Sequence, residues 1–294
     1  MPRVKRIVFL GTGTSGSIPN VPCITSGSSR CKTCRLSLTA EGRKNRRRNT
    51  SLLVCVDHPD GRQRNILIDA GKTFYEGAIE HFAKHDIRTI DAVILTHGHA
   101  DAMLGLDDLR PWTSASRLLP IYCDHDTLKV VRQTFPYMVD TSKATGSGAV
   151  SRLEFRLIES VREPFEVCGV AFQPLRVEHG RCSDGSTFYF NGYRFADVSY
   201  ISDCSHIPDA TRELVAGSRL IILDCLEMHS HSSHFGYLQA VDEARRFRPP
   251  RMLLTDINHN LEHSQLERLA EKLLAEEGLV VDPAYDGMSI DLLC

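Results

Sequence analysis

No stretch of this 294-residue sequence approaches the roughly 18 consecutive apolar residues that a membrane-spanning helix requires, and no membrane partner is expected. Charge of one sign is lacking too. Thirty-five Lys and Arg stand against 37 Asp and Glu, a formal net charge of −2, so no global field draws the chain to a polyanion. An extended nucleic-acid partner is therefore not expected. The opening segment MPRVKRIVFLGTG carries an apolar stretch too short for a secretory signal, with no small-residue cleavage site after it, which points to the cytoplasm. Without signs of secretion the 10 cysteines do not spell a disulfide framework. Cys55, Cys168, Cys204 and Cys225 lie in or beside apolar runs and read as buried free thiols. Internal repeats are absent as well.

What is present is an ordinary globular balance, 42% hydrophobic and 24% charged. Strand-like runs recur along the whole chain: VKRIVFL, TSLLVCV, NILIDAG, DAVILTH, LPIYC, LEFRLI, VAFQPLRV, STFYF, VSYISD, RLIILDC, RMLLTD and a last one through Asp291. Helical periodicity appears at about 73–85, 126–135, 207–216, 235–247 and 263–276, with Pro208 opening one helix. Groups of consecutive strands precede lone helices. That order fits an α/β chain in which two sheets pack face to face with helices outside, an αββα sandwich. A single domain over 1–294 is expected, with 140–150 as a mobile loop.

Five of the strand-like runs end in Asp or His: NILIDAG, DAVILTHGHAD, VSYISDCS, RLIILDC and RMLLTDINH. Such ends sit at a sheet rim on rigid backbone, and five of them suggest convergence on one site. One carries a dense motif, THGHADA at 96–102. There His97, His99 and Asp101 offer imidazole and carboxylate donors that Zn²⁺, Mn²⁺ and Fe²⁺ accept. A second cluster, Cys23, Cys31 and Cys34, lies in a polar loop at about 23–34. Its three thiolates need a fourth ligand to complete a tetrahedron. A basic run, RKNRRR at 43–48, reads as a solvated face, the functional alternative being that Arg47 or Arg48 reaches a substrate phosphate.

A strand followed by THxHxD, with Asp69 in an earlier LIDAG, resembles the metallo-β-lactamase superfamily. Within it the sequence is similar to the cyclic phosphodiesterase branch known from bacterial phosphonate degradation and its eukaryotic relatives. The similarity runs through FLGTGTSGSIP, the cysteine loop, RRNTSLLV, LIDAG, LTHGHADAMLGLDDLR, YISD, SHFGYLQA, LLTDINH and YDGM. It implies a metal-dependent hydrolase with one or two active-site ions, Zn²⁺ or Mn²⁺, and a small phosphodiester substrate. By resemblance the ligands are His97, His99, Asp101, His179, Asp203 and Asp256, and His234 is the general acid for the departing oxygen. Asp101 is expected to take part in the chemistry as well as in metal binding. A structural Zn²⁺ is implied at Cys23, Cys31, Cys34 and His259. The expected reaction is attack on phosphorus by a hydroxide that the metal makes available at neutral pH.

The sequence departs from the family pattern at two positions. Ala102 stands where the motif carries a further His, and Asp256 where a later strand end supplies another. Oxygen donors alone favour Mn²⁺ or Mg²⁺, so a weaker second site is expected. His206 is a further candidate there, with a capping or surface role favoured; His229 and His231 have no role assigned. Thioester or lactone hydrolysis, tRNA 3′-end processing and a catalytically weakened binding module stand as alternatives, and the sequence allows a homodimer.

Overall fold

Continuous apolar runs such as LLVCV and LIIL build two sheets whose central strands are buried on both faces. The computed structural model describes residues 1–26, 31–114, 116–145 and 150–292. In chain order the first sheet contains β1 (Arg3–Gly11), β2 (Ser51–Asp57), β3 (Gln63–Ile68), β4 (Ala92–Ile94), β5 (Leu119–Cys123), β6 (Leu153–Leu157) and, at its far end, β14 (Ser289–Asp291). Its spatial order is β14-β1-β2-β3-β4-β5-β6. The second sheet runs from β7 (Phe165–Val167) through β8 (Val170–Arg181), β9 (Thr187–Phe195), β10 (Val198–Ile201), β11 (Leu220–Asp224) and β12 (Arg251–Thr255) to β13 (Val281–Pro283), each strand beside its sequence neighbour.

Side-chain period two assigns each residue to a layer. On β1, Ile7 and Phe9 face the opposing sheet, where they meet Phe172, Tyr193 and Tyr200, while Val8 and Leu10 face the outer helices. On β11, Leu220 and Ile222 point between the sheets and Ile221 and Leu223 point outward. Among the longer helices, α3 (Phe74–His81) and α5 (His125–Thr134) cover the first sheet. The helices α7 (Asp209–Val215), α8 (Tyr237–Phe247) and α9 (His263–Glu277) cover the second. Local signals fix their ends: the Asp124 carboxylate accepts the Thr127 N–H to start α5, and Gly278 at φ 69° stops α9. The fold is the expected αββα sandwich.

The short pieces are what periodicity did not show. β7 and β13 span too few residues to display alternation, and the helical turns α1 (Val21–Thr25), α2 (Lys32–Leu36), α4 (Ala100–Met103) and α6 (Pro136–Val139) are equally brief. Within the expected mobile loop, Thr141–Lys143 forms a 3₁₀ turn, whereas 146–149 lie outside the described residues. Cys55, Cys204 and Cys225 are buried free thiols, and Cys168 is half-buried. No helix among the described residues is long and apolar enough to cross a membrane.

One buried group makes the fold acid-sensitive. His81, on α3, is 3% exposed, and burial pushes its pKa from the ordinary 6.5 down to about 4. Between these values the unfolded chain binds a proton that the native chain does not, so stability falls as pH drops from 6.5 toward 4. Urea unfolding at pH 7 and pH 5 is expected to show the loss, and His81→Phe to reduce it. An unchanged slope in that variant would clear His81 of the effect.

Candidate functional site

Strand ends deliver the donors to one rim. β4 runs through the buried Leu95 and Thr96 into a turn bearing His97 and His99, and α4 then carries Asp101. His179 lies near the end of β8, where the register with β9 shifts between Glu178 and Arg181 and Gly180 takes φ 78°. Such a bulge re-aims a side chain. Asp203 follows β10, and His234 precedes α8.

His97, His99 and His179 place one ring nitrogen each within 4.8 Å of one another. Two of the three rings are held from behind. The His179 Nδ1–H donates to the Ser233 carbonyl at 2.7 Å. Behind His97 a chain of bonds runs to Asp69: the Thr96 hydroxyl donates to the Asp69 carboxylate at 2.6 Å and sits 3.0 Å from His97 Nδ1, free to accept its proton. This leaves His97 Nε2 buried and without a partner. A buried lone pair with no donor is costly unless something electrophilic occupies the point it faces. Burial holds His97 down at about pKa 3 and lowers His99 and His179, so all three imidazoles are neutral. The arrangement suits a divalent ion such as Zn²⁺.

Asp203, His179 and His234 form an adjoining group of donors. Burial alone would raise the Asp203 carboxyl, but its neighbours, the charged His234 and the Ser202 hydroxyl that donates to it at 2.8 Å among them, hold the pKa below the usual value. Asp101 goes the other way, raised by burial and by Asp203. His99, Asp101, His179, Asp203 and His234 all line one open cleft of about 1010 Å³. Its wall includes Phe188, whose ring stacks on His99 at 5.0 Å and 19°, and Arg181.

His234 is clamped. Its Nδ1 lies 3.0 Å from Asp224 Oδ2 and 3.1 Å from Asp256 Oδ2. A single Nδ1–H cannot align with both, and the bond goes to Asp224. Burial disfavours a charged imidazole, yet the two carboxylates outweigh it and raise the His234 pKa far above its ordinary value. Asp256 occupies the left-handed region at φ 57°, as Asp69 does at φ 62°, so two strand-end carboxylates are aimed by backbone that only a few residue types adopt readily.

The cysteine group also assembles. Cys23, Cys31, Cys34 and His259 offer donor atoms all within 4.8 Å, with His259 Nδ1 at 3.2 Å from Cys23 Sγ and 3.3 Å from Cys31 Sγ. Burial pushes Cys31 up, but hydrogen bonds from the Cys34 backbone and from His259 bring it down to about 7. Burial takes Cys34 up to about 12. One thiolate is ready and a cation would have to recruit the others.

The expectation for 43–48 fails in part. Arg47 is fully buried, not solvated. Its Nη1 donates to the Asn258 and Leu261 carbonyls, its Nε and Nη2 have no hydrogen-bond partner among the described residues, and burial lowers its pKa to about 10. Arg48 pairs with Glu80 at 2.6 Å and Asp286 at 3.3 Å. Neither lines the cleft, so the phosphate role expected of them is not where the structure puts them. Arg43 and Lys44 are exposed, as a solvated run should be. His206 is also exposed and away from the cleft lining. His229 and His231 are exposed, the latter ring 5.7 Å from that of His234.

Sequence reasoning missed Asp224 as the partner of His234, although RLIILDC marked it as a strand-end carboxylate. It missed Phe188 and Arg181 altogether, since one aromatic and one arginine on a polar hairpin carry no local signal.

Comparison with known proteins agrees with this geometry. The family model for the beta-lactamase superfamily domain matches residues 64–257, more than half of the chain. A crystal structure described as a new diphosphatase from the PhnP family is similar over 98% of both chains, at 28% identity and a TM-score of 0.77. Zn²⁺-bound PqqB from Methylobacterium extorquens shares the fold, with a TM-score of 0.76 and 19% identity over 98% of this chain and 100% of that one. Among curated proteins, an octanoyltransferase of Porphyromonas gingivalis (strain ATCC BAA-308 / W83) is 29% identical over 286 residues, 96% of this chain. The chain spans about half the length of that relative, 51%. By its sequence match and its αββα architecture, the chain belongs to the beta-lactamase superfamily domain family.

Proposed function

We propose that the chain is a metal-dependent hydrolase of small phosphate esters, cyclic phosphodiesters foremost. One observation carries this reading: His99, His179 and the clamped His234 line one cleft, and the buried His97 completes the three-histidine group at its edge, a Lewis-acid seat beside a proton donor. A divalent ion, Zn²⁺ or Mn²⁺, held by His97, His99 and His179 with Asp203 beside them would polarise a phosphoryl oxygen and lower the pKa of water. The chain's own groups supply the rest. Asp101, with its raised pKa, takes a proton from the attacking water. The water oxygen bonds to phosphorus, the ester P–O bond breaks, and the His234 proton goes to the departing oxygen. The similar structure described as a diphosphatase supports chemistry at phosphorus.

Arg181 takes over the role that the 43–48 run does not fill. It is exposed at the cleft and, among the described residues, donates a long 3.3 Å bond to the Gly185 carbonyl, leaving its guanidinium open to a phosphate. Arg181→Ala is expected to raise KM roughly 10-fold with little change in kcat, as the loss of one charged hydrogen bond predicts. Steady-state kinetics on a 2′,3′-cyclic nucleotide checks it, and an unchanged KM would remove Arg181 from substrate binding.

For Cys23, Cys31, Cys34 and His259 we propose a structural zinc that ties the N-terminal loop to the rim, His259 standing three residues past Asp256. Cys31→Ser is expected to lose that ion and lower Tm before it slows turnover. Equal zinc content and Tm in the variant would contradict the proposal.

Acyl-ester or thioester hydrolysis is the second reading, favoured by the match to half of an octanoyltransferase. A panel of 2′,3′-cyclic nucleotide, nucleoside diphosphate and octanoyl thioester separates the two. Turnover confined to the thioester would replace the phosphoryl reading.

A further inference from the structure

The resemblance in sequence implies one or two ions, but on the Asp101 side the donors for a second one are not gathered within reach of one another. Ala102 sits in α4 with a methyl group and no spare backbone. Its N–H bonds the His99 carbonyl at 3.1 Å, and its own carbonyl accepts the Ala70 N–H at 2.8 Å. Asp256 is buried, with a carboxylate oxygen 3.1 Å from His234 Nδ1. At the same ring nitrogen, Asp224 Oδ2 accepts the Cys204 N–H at 2.8 Å and the Phe235 N–H at 3.2 Å in addition to His234. Among the described residues, the donor groups of the rim are His97–His99–His179, His179–Asp203–His234 and Asp224–His234–Asp256; none contains Asp101. An ion on the Asp101 side would therefore meet too few donors within reach of one another to compete with water.

We propose that the active site holds a single ion, at the three-histidine group, and that the Asp256 carboxylate, set 3.1 Å from His234 Nδ1, orients that ring instead of binding a second ion. Asp224 and Asp256 are then positioning residues: they act on substrate only through His234. The substitution of two imidazoles by Ala102 and Asp256 becomes a coordinated change, since a His at 256 would bind an ion where this carboxylate binds the imidazole. This inference rests on the reading of the three-histidine group as a metal seat.

Metal content of the folded, full-length chain tests it. After loading with Zn²⁺ and dialysis, elemental analysis is expected to find two ions per chain, one lost in His97→Ala and the other in Cys31→Ser. Three ions in the wild-type protein would overturn the inference, whereas two ions both retained in His97→Ala would overturn the metal seat beneath it. The double variant Ala102→His with Asp256→His is expected to gain one ion, and no gain would show that these two positions are not the reason for the single site. Because that variant bears on the core, Mn²⁺ electron paramagnetic resonance of the wild-type protein provides a second readout. Isolated six-line spectra are expected, and an exchange-coupled pair would contradict the proposal.

Discussion

Replacing His234 by alanine is expected to lower kcat on a cyclic phosphodiester by about 10²–10⁴-fold, the usual contribution of a positioned general acid. The ring is 14% exposed at its side chain, with one nitrogen turned to Asp224 and Asp256 and the other edge open to the cleft. The carboxylates keep it protonated. Such a proton is released only to a strong base, and a departing alkoxide is one. Leaving-group dependence therefore separates the acid from a merely structural role. With a nitrophenyl diester, whose leaving group needs no proton, the variant is expected to retain most of its activity. Asn at 234 preserves an N–H toward Asp224 while removing the acid, so His234→Asn should share the kinetic defect with a smaller loss of stability. Equal losses on alkyl and nitrophenyl substrates would show that His234 holds the site together and does not donate the proton.

His97→Ala should be as severe for a different reason. Transition-state stabilisation by a bound ion is worth several kcal/mol, so losing the ion costs roughly 10³-fold or more in kcat/KM. His97 is the best-anchored of the three imidazoles: it is 3% exposed, with Thr96 and Asp69 behind Nδ1 and a buried Nε2 that has no hydrogen-bond partner among the described residues. Alanine there removes one of the three imidazoles and leaves His99 and His179 with only Asp203 beside them, which weakens binding. Calorimetric titration with Zn²⁺ or Mn²⁺ and parallel kinetics should show affinity and rate falling together. Full affinity with lost activity would place the ion elsewhere.

The legible part of the site was what one strand end could carry. THGHADA joins a buried strand to three donors within five residues, a density that chance and surface chemistry rarely produce. His179 and His234 were legible only through the family resemblance, because a lone histidine in a polar stretch says nothing about its neighbours in space. Asp224 shows the limit from the other side. Its strand end is plain in RLIILDC, but its bond to His234 depends on how β11 and the segment before α8 meet, and no spacing rule encodes that. Arg47 and Arg48 misled for a related reason. Composition reports a basic run, while burial is decided by the second chain segment that closes over it, here the carbonyls of Asn258 and Leu261 and the carboxylate of Asp286. The strands of the fold were legible because the apolar runs in β1 and β11 are long enough to display themselves; β7 and β13, three residues each, are not.

The central claim is that this cleft hydrolyses a phosphate ester by adding water to phosphorus. Incubating a 2′,3′-cyclic nucleotide with the Mn²⁺-loaded protein in ¹⁸O-water and following it by ³¹P NMR tests this most directly. The expected result is ring opening to a monoester with one ¹⁸O on phosphorus, absent without metal. An unchanged cyclic resonance in the fully metallated protein, with octanoyl thioester hydrolysed in the parallel tube, would contradict it.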